Sequence, residues 1–496
     1  AQTAIVGVFC FFNLASRNSP RQELRKQRDD HAVNGTQVLS AVEEGSSAEN
    51  TDEMPVATFN GLNVYYRNAA LQPLHSTVSC VGENFNPSAW MYRSCEFRNL
   101  CFDTNKRDFV LFPSPAEKSL DKALYDHDLQ FVATSTSMVN VSVAIGGINP
   151  QLLVRGAEKL EWFPTIAQEG LSTGYYELPS DTVIVPFHSL AGFNVGHLVW
   201  DDFLPLYTLL SMFQLRPEEG KRPMYMRYVL DEPLWASCDS RTVECNEMLR
   251  KFLPLMGVTV DHFSTIHDFS FSFNEAVAHG RRGRSQYVCA RYGAAGLGML
   301  TDHGLKRHGR SEEDYRTSAN IGRGALLYSF WNFMVRNLGL PVKPLRSKPP
   351  YRIFFSKRSS DEGDRQTHFV HQMAAVRKAF AGGETEVDVQ GYRLDAWPLM
   401  DQVRMATECA IYITVCGGGA VTATFLPKGA ALIVYFGAAD PFARRPWAPG
   451  RLDWDLFNNA AYVRSHWLPK KWFDTEPHLK ALVAIVTNEI NVISHS

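Results

Sequence analysis

The sequence predicts an α/β fold in which two Rossmann-like domains face each other across a cleft. Three observations carry this prediction. An apolar strand at Asp181–Phe187 leads through a loop into a helical pattern that ends near Leu210. A strand, a glycine loop, a helix and a second strand follow one another between residues 410 and 436. The proline-rich segment Pro341–Pro350 separates the two regions and is typical of a linker.

Chain length and composition agree with two domains. With 496 residues, of which 45% are hydrophobic, the chain is too long for one ordinary domain and can bury sizeable cores. We therefore divide it into residues 1–55, an N-terminal Rossmann-like domain at 56–340, a linker at 341–350, and a C-terminal Rossmann-like domain at 351–496. Ligands in open α/β sheets bind at the carboxyl ends of strands, so the cleft is the expected site.

The first 55 residues indicate where in the cell the protein is located rather than how it folds. Ala4–Ala15 is apolar but shorter than the about 20 residues that span a bilayer, and we interpret it as the remnant of a signal anchor. Ser16–Glu53 is polar and charged, as in a disordered luminal stem. These segments predict membrane attachment of the full-length chain. Sequons at Asn34-Gly35-Thr36 and Asn140-Val141-Ser142 also favour a lumen.

Cysteine spacing indicates disulfide bonds. Cys80, Cys95 and Cys101 cluster in a loop-rich segment, and Cys238 and Cys245 lie seven residues apart. In an oxidising lumen these residues are expected to pair, although the sequence leaves the connectivity open. The absence of C-x-x-C pairs argues against a structural zinc site.

Net charge argues against a general nucleic-acid binder. The formal charge is −2, so the chain has no overall basic field. Arg281, Arg282 and Arg284 form a local basic patch, which we interpret as a solvated loop in preference to a polyanion site.

The first candidate constellation is a histidine and a carboxylate at a loop-to-helix junction. His197 and Asp201 are four residues apart, a spacing that brings two side chains together on a helix. An imidazole oriented by a carboxylate can act as a general base. A helix cap with a surface histidine is the alternative. Pro205 predicts a kink, or two short helices that meet there.

The second constellation is a basic loop followed by a glycine loop. A strand at Arg352–Phe355 ends in a hydroxyl-rich basic segment. The later strand–loop–helix–strand run predicts a parallel βαβ unit, whose glycines let backbone N–H groups approach a phosphate. A dinucleotide fingerprint needs a third spaced glycine and an acidic residue, and both are missing, so a nicotinamide oxidoreductase is disfavoured. The residues of these two loops are Ser356, Lys357, Arg358, Gly417, Gly418 and Gly419.

Together the two stretches resemble glycosyltransferase family 61. That family has an N-x-G-H-x-x-x-D block, a serine-arginine loop, a glutamine helix, a glycine loop and an F-L/M-P-x-G turn. The matching residues here are Asn194, Gly196, His197 and Asp201; Ser356, Lys357 and Arg358; Gln402; Gly417 and Gly419; and Phe425, Pro427 and Gly429. Similar members include endomembrane N-acetylglucosaminyltransferases that act on O-mannose or EGF repeats, and plant xylosyl- and arabinosyltransferases. The similarity covers roughly residues 80 to 440.

The resemblance implies an inverting glycosyltransferase of GT-B architecture in the endoplasmic reticulum or Golgi. It would move xylose, N-acetylglucosamine or arabinose from a UDP-sugar to a hydroxyl of a glycan or glycoprotein. The C-terminal domain would hold the nucleotide sugar, and the N-terminal domain the acceptor.

Roles for the matching residues follow from that chemistry, which needs a base for the acceptor and positive charge on the leaving diphosphate. His197 is expected to be the base, oriented by Asp201, with Asp201 or Asp202 acting directly as the alternative. Arg358 is expected to clamp the diphosphate. Ser356, Lys357, Gly417, Gly418 and Gly419 would add contacts to the donor, Asn194 and Gly196 would contact substrate, and Gln402 would bind the donor or hold the glycine loop.

No cofactor is required by this scheme, because Arg358 and backbone dipoles can replace a metal. A manganese ion is compatible with this chemistry, but we do not predict that one is bound. Asp126-His127-Asp128 has the form of a metal-binding D-x-D motif, but it reads as a connection between elements.

Two departures from the family pattern keep a second hypothesis open. Cys416 stands where the family has a histidine, and Tyr435 stands where an acidic residue often ends the strand. The alternative is a catalytically degenerate paralogue that binds a sugar or a protein. It is also suggested by the tail tryptophans, Trp447, Trp454, Trp467 and Trp472.

Overall fold

The computed structural model describes residues 55–70, 72–82, 93–114, 122–126, 131–135, 141–145, 160–189, 191–229, 238–278, 285–296, 323–357, 367–436, 456–471 and 473–496. Several predictions fall outside these ranges. They concern the N-terminal anchor and stem, Asn34, Asn140, His127, Asp128, the arginines at 281, 282 and 284, Arg358, Trp447, Trp454 and Trp472. The described residues belong to one compact unit that spans residues 53–496. None of the described helices is both long and apolar enough to cross a bilayer.

The first half of the chain forms a mixed sheet of thirteen strands and a separate two-stranded ribbon. The strands are β1 (Ala57–Phe59), β2 (Leu62–Arg67), β3 (Thr77–Gly82), β4 (Arg93–Asp103), β5 (Asp108–Leu111), β6 (Lys122–Asp126), β7 (Phe131–Ser135), β8 (Val143–Ile145), β9 (Leu160–Trp162), β10 (Thr165–Ile166), β11 (Tyr175–Glu177), β12 (Thr182–Phe187), β13 (Arg222–Arg227), β14 (Phe263–Thr265) and β15 (Tyr287–Ala295). The main path is β1-β2-β11-β15-β4-β3-β7-β6, and β8 pairs only with β9.

Only part of this sheet has the parallel arrangement that a Rossmann-like domain requires. Strands β12, β13 and β14 pair in parallel, and β12 also pairs in parallel with β15. Strand β4 pairs antiparallel with β3, β5 and β15, and it is joined to β5 by a direct turn instead of a helical crossover. The first half is therefore a mixed sheet with a parallel section rather than a regular Rossmann-like sheet.

Three disulfide bonds tie this half together. Cys80 pairs with Cys95, Cys101 with Cys289, and Cys238 with Cys245. All five cysteines singled out by spacing are bonded, and Cys289 supplies the remaining partner. In the first two bonds the cysteines are direct cross-strand neighbours, so the sheet register brings them together.

Nine helices lie in the described residues: α1 (Val195–His197), α2 (Leu204–Met212), α3 (Thr242–Phe252), α4 (Ile266–Ala278), α5 (Gly324–Asn337), α6 (Val370–Phe380), α7 (Leu399–Thr407), α8 (Gly418–Val421) and α9 (Glu476–Ser494). A π-helical segment, Leu198–Phe203, joins α1 to α2, so the helix continues through a change of pitch just before Pro205. Shorter 3₁₀ turns occupy Pro217–Glu219, Leu253–Met256, Val260–His262, Leu394–Ala396 and Thr422–Phe425.

The second half forms a parallel five-stranded sheet with the order β17-β16-β18-β19-β20. Its strands are β16 (Tyr351–Lys357), β17 (Val387–Arg393), β18 (Ile411–Val415), β19 (Ala431–Phe436) and β20 (Arg464–Pro469). The predicted strand–loop–helix–strand unit is β18, α8 and β19. Helices α6 and α9 pack on one face, and α7 and α8 pack on the other, which makes the sheet doubly wound.

One hydrophobic core joins the two sheets. It includes Leu198 and Val199 after α1, Phe354 of β16, Tyr412 of β18 and Leu432 of β19, all essentially inaccessible to solvent. Burial of each such side chain contributes about 1.5–3 kcal/mol. The helix that carries the histidine motif is thus packed against the sheet that carries the glycine loop.

Candidate active site

A cavity of about 300 Å³ opens at the carboxyl ends of β16 and β18. In this strand order the chain leaves β16 toward one edge of the sheet and leaves β18 toward the other. Such a switch point leaves a crevice in which doubly wound sheets bind ligands. The cavity is lined by Val195, Val199, Met248, Lys251, Phe252, Ser356, Lys357, Leu394, Leu399, Gln402, Val403, Thr414, Val415, Cys416, Gly418, Gly419, Val421, Thr422 and Phe425.

The glycine loop needs glycine at two of its three positions. Gly417 has φ of 109°, which side chains rarely permit. A Cβ at Gly419 would lie 2.9 Å from Thr414 Oγ1 and 3.0 Å from Ser356 Oγ, whereas one at Gly418 would meet only Val195, at an ordinary 3.6 Å. Gly419 therefore lets the loop close down on the hydroxyls at the ends of β16 and β18.

A buried tyrosine holds this loop. The Tyr412 hydroxyl donates a hydrogen bond of 2.9 Å to the carbonyl oxygen of Gly419. Burial raises the pKa of Tyr412, so the hydroxyl keeps its proton for this bond. Gln402 lines the cavity, but its amide donates to the carbonyl of Trp397 at 2.9 Å. Tyr412 thus holds the glycine loop, and the role expected of Gln402, donor binding or support of this loop, stays a prediction.

The cavity lining carries positive charge and hydroxyl groups but no carboxylate. Lys251 and Lys357 are the basic residues of the lining, and the described lining residues include no Asp or Glu. Ser356, Thr414 and Thr422 add hydroxyls that can donate to an anion. This composition favours a ligand with negative charge.

Five of the seven predicted donor-site residues meet here, since Ser356, Lys357, Gln402, Gly418 and Gly419 all line the cavity. Gly417 is not among the lining residues, and Arg358 lies outside the described ranges. Sequence reasoning missed Met248, Lys251 and Phe252 of α3, which also line the cavity. Their spacing marks one helix face, but no local pattern indicates that this face meets a loop more than a hundred residues away.

Helix α1 and the π-helical segment that continues it border the cavity through one valine each. Val195 and Val199 line it, and the Trp200 indole N–H donates to Thr424 Oγ1 at 3.2 Å, which joins this helix to the residues after the glycine loop. Asn194 caps the helix, because its side-chain oxygen accepts the N–H of Gly196 at 3.0 Å. Neither Asn194 nor Gly196 is among the residues that line the cavity, and their predicted contact with substrate stays a prediction.

His197 and Asp201 form the pair that their spacing suggested. His197 Nδ1 lies 2.6 Å from Asp201 Oδ2, and the two side chains are 20% and 6% exposed. Neither residue lines the cavity. Two residues beyond Val195, the His197 side chain lies about 200° further round the helix, so it faces another side than the cavity.

Asp202 is a buried carboxyl group. It accepts a hydrogen bond of 2.5 Å from the Ser189 hydroxyl. Burial raises its pKa well above the usual range; the Ser189 bond lowers it by less, and Asp201 raises it further. With 4% of its surface exposed and no place in the cavity lining, Asp202 does not reach a ligand there.

The two departures from the family pattern have different locations. Cys416 is half-buried and lines the cavity. Tyr435 points to the other face of the sheet, where its ring packs against Phe369 and Phe473. An acidic residue would not reach the cavity from this position, so Tyr435 itself removes nothing from the site.

No cluster of three or more His, Cys, Asp or Glu side chains able to hold a metal occurs in the part of the chain that the structure describes. The tail tryptophan that is described, Trp467, donates its indole N–H to Asn458 at 3.0 Å.

Comparison with known proteins gives weak structural likenesses. No protein-family model matches the chain, and no curated protein matches it. Similar solved structures include the Flv1 flavodiiron core of Synechocystis, with 10% identity, a TM-score of 0.22, and coverage of 51% of this chain and 52% of that one. This chain thus spans about half the length of the flavodiiron core.

Two further structures are glycosyltransferases. The E. coli heptosyltransferase WaaC, solved with ADP-2-deoxy-2-fluoro heptose, has 9% identity and a TM-score of 0.25 over 62% of this chain and 99% of that one. The iron-containing glycosyltransferase TibC of enterotoxigenic E. coli has 14% identity and a TM-score of 0.24 over 66% and 83%. Scores this low carry no argument about the fold or activity of this chain.

Proposed function

We propose that this protein is a glycosyltransferase that binds a nucleotide sugar in the cavity at the ends of β16 and β18. The single observation that carries the proposal is the site's character: a switch-point crevice with two lysines, three hydroxyls and no carboxylate in its described lining. Such a crevice suits the diphosphate of a nucleotide sugar, on which charge accumulates as the sugar leaves. The apolar wall of Leu394, Leu399 and Val403 suits the nucleoside.

The resemblance to glycosyltransferase family 61 supplies the more specific parts of the proposal. The donor is proposed to be a UDP-sugar carrying xylose, N-acetylglucosamine or arabinose, and the acceptor a hydroxyl of a glycan or glycoprotein. The compartment is proposed to be the endoplasmic reticulum or Golgi, because three disulfide bonds suit an oxidising lumen. Arg358 is proposed to join Lys357 and Ser356 on the diphosphate.

Donor binding is tested by thermal unfolding with UDP, GDP and CMP and with their sugars. A ligand that binds only the folded protein stabilises it, by about 2.7 kcal/mol at a hundred times its Kd. We expect one nucleotide class to raise the Tm, and Lys357→Gln to weaken that effect. Lys378→Gln, which removes an exposed charge from α6 outside the cavity lining, is the matched control. If no nucleotide stabilises the wild-type protein, the proposal is wrong.

The base is proposed to be His197, with Asp201 as its positioning carboxylate. His197 would take the proton of the acceptor hydroxyl as that oxygen attacks the anomeric carbon and the diphosphate leaves. His197→Gln, which removes the base itself, should lower the transfer rate by about 10²–10⁴. Asp201→Asn should also lower the transfer rate, and both variants should bind the nucleotide as the wild type does. Transfer at the wild-type rate in both variants would remove His197 from the mechanism without affecting the donor site.

One observation favours a second candidate function, binding without turnover. His197 does not line the cavity, and Cys416 occupies the position where the resembled family has a histidine. Hydrolysis of the bound nucleotide sugar in the absence of acceptor decides between the two. Slow release of free sugar supports a transferase, whereas tight binding with no hydrolysis and no transfer supports the binding protein.

A further inference from the structure

Helix α3 brings a lysine from the first half of the chain to the cavity in the second sheet. Its last turns place Met248, Lys251 and Phe252 in the cavity wall. These residues follow the i, i+3, i+4 spacing of one helix face. The cavity is therefore closed by an element that does not belong to the sheet on which it lies.

Lys251 has no ionic partner among the residues that the structure describes. Its neighbouring aromatic ring, Phe252, is 6.0 Å from its ammonium group, the outer limit of a cation–π contact. Arg241, which precedes the same helix, does have an ionic partner, since it lies 3.9 Å from Glu244. The Lys251 charge is thus left for solvent or for a ligand.

Lys357 is a second basic residue of the cavity lining. Lys357 ends β16 and is likewise without an ion pair in the described part of the chain. Its Cε lies near Gly391 of β17 on the side of the sheet where α6 packs, because a Cβ on Gly391 would lie 2.6 Å from Met373 Sδ and 3.0 Å from Lys357 Cε. An anion bound in the cavity would be attracted by the charges of both lysines.

The base of α3 is held firmly. The Cys238–Cys245 disulfide bond links the segment before α3 to the beginning of that helix. Asp239 is bound by Arg227 at 3.0 Å and by His188 at 2.8 Å, in fully buried contacts at the ends of β13 and β12. A ligand group on a rigid element loses little freedom when it binds. Lys251 is accordingly carried by a helix whose N-terminal end is held in place.

We propose that Lys251 is a donor-binding residue that contacts the phosphate groups of the nucleotide from the first half of the chain, in the cavity that Ser356 and Lys357 also line. The inference rests on the proposed function and deepens it, because it makes the donor a bridge between the two halves. Lys251 acts on charge alone: it recognises phosphate and leaves the base and the sugar to other residues.

The test compares the binding of a diphosphate and of its nucleoside by calorimetry. UDP, GDP, ADP and CDP are titrated into the wild-type protein, and the one that binds most tightly is used with the matching nucleoside. Lys251→Gln should weaken diphosphate binding about tenfold, equal to about 1.4 kcal/mol, and nucleoside binding less than about twofold. Lys251→Arg should retain most of the affinity, and Lys378→Gln should bind as wild type does.

The outcomes separate the two proposals. If the wild-type protein binds a diphosphate and Lys251→Gln binds it equally well, the role of Lys251 is refuted and the donor site stands. Equal losses for diphosphate and nucleoside, or a lowered Tm without ligand, would make Lys251 a structural residue and would also refute it. If the wild-type protein binds none of the four diphosphates, the proposed function fails, and this inference fails with it.

Discussion

At the scale of single residues, the three glycines after β18 are not equivalent. Gly417 adopts a backbone conformation that favours glycine, Gly419 makes room for two hydroxyls, and Gly418 does neither. Sequence reasoning gave all three the same role, as donors of backbone N–H groups to phosphate. The structure divides them because their Cβ positions face different neighbours.

Alanine substitutions test this division. Gly419→Ala should destabilise the protein by about 1–3 kcal/mol, because its Cβ would be forced against Thr414 and Ser356. Gly418→Ala should cost less than about 1 kcal/mol, because alanine suits a helix start and its Cβ has ordinary contacts. Urea unfolding measures both values, and equal costs would contradict the division.

The buried Asp202 predicts a dependence of stability on pH. Since burial raises its pKa in the folded state, its protonated form stabilises the fold at low pH, and this stabilisation is lost as the pH rises through the folded-state pKa. Asp202→Asn keeps a partner for Ser189 and cannot ionise. Its free energy of unfolding should equal or exceed that of wild type above pH 7, and the advantage should disappear toward pH 4. An advantage that grows at low pH would show that the sign is wrong.

At the scale of elements, helix α9 is fastened to β20 by one carboxylate. Glu489 accepts from Arg464 Nε at 2.6 Å and from His466 Nε2 at 2.7 Å. Burial alone raises its pKa, but these bonds from basic groups outweigh that effect and leave the pKa lowered. The carboxylate form therefore stabilises the fold at neutral pH.

Substitution on α9 should show this fastening. Glu489→Gln should lower the free energy of unfolding at pH 7 by roughly 1–3 kcal/mol, and the difference should shrink as the pH falls below the usual glutamate value of 4.5. Lys480→Gln breaks an exposed ion pair with Glu476 on the same helix and should change little. A difference that persists at pH 3 would contradict the account.

The elements of the second half were predictable because their signals are local. Buried strands such as β19, which runs from Ala431 to Phe436 as expected, stand out as apolar runs bounded by glycine and proline. The mixed sheet of the first half was not predictable in the same way. Its pairing joins β4 to β15 across most of that half, and nothing within either strand indicates its partner.

The residues of the candidate site were likewise predictable only where their signals are local. Ser356, Lys357 and Gly419 follow strand ends, so the rule for parallel sheets places them together. Lys251 lines the same cavity because the common hydrophobic core packs α3 against the second sheet. No sequence motif indicates this packing. His197 and Asp201 were correctly paired by helical spacing, but spacing does not tell which way the pair faces.

At the scale of the whole molecule, the disulfides connect parts of very different separation. Cys101–Cys289 closes 188 residues of sequence, and Cys238–Cys245 closes 7. In the chain-entropy model these loops correspond to about 5 and about 2 kcal/mol of stabilisation. The longer bond joins neighbouring central strands of the first sheet.

Paired serine substitutions should follow this order. Cys101→Ser with Cys289→Ser should lower the free energy of unfolding by more than Cys238→Ser with Cys245→Ser. The second pair, however, should weaken nucleotide binding more, since its bond anchors the helix that carries Lys251. Denaturant unfolding and calorimetry measure the two effects, and the reverse order in both would contradict the account.

The central claim is that a nucleotide diphosphate occupies the cavity between β16, β18 and α3. The Cys416 thiol lines this cavity and is half-buried, whereas Cys409 is buried elsewhere and is expected to be unreactive. The most direct measurement is the rate at which a thiol reagent labels Cys416, followed by mass spectrometry, with and without UDP, GDP, ADP or CDP. We expect one of these nucleotides to slow the labelling of Cys416 at concentrations near its Kd. If a nucleotide binds the protein and the labelling rate of Cys416 does not change, the ligand lies elsewhere and the claim is contradicted.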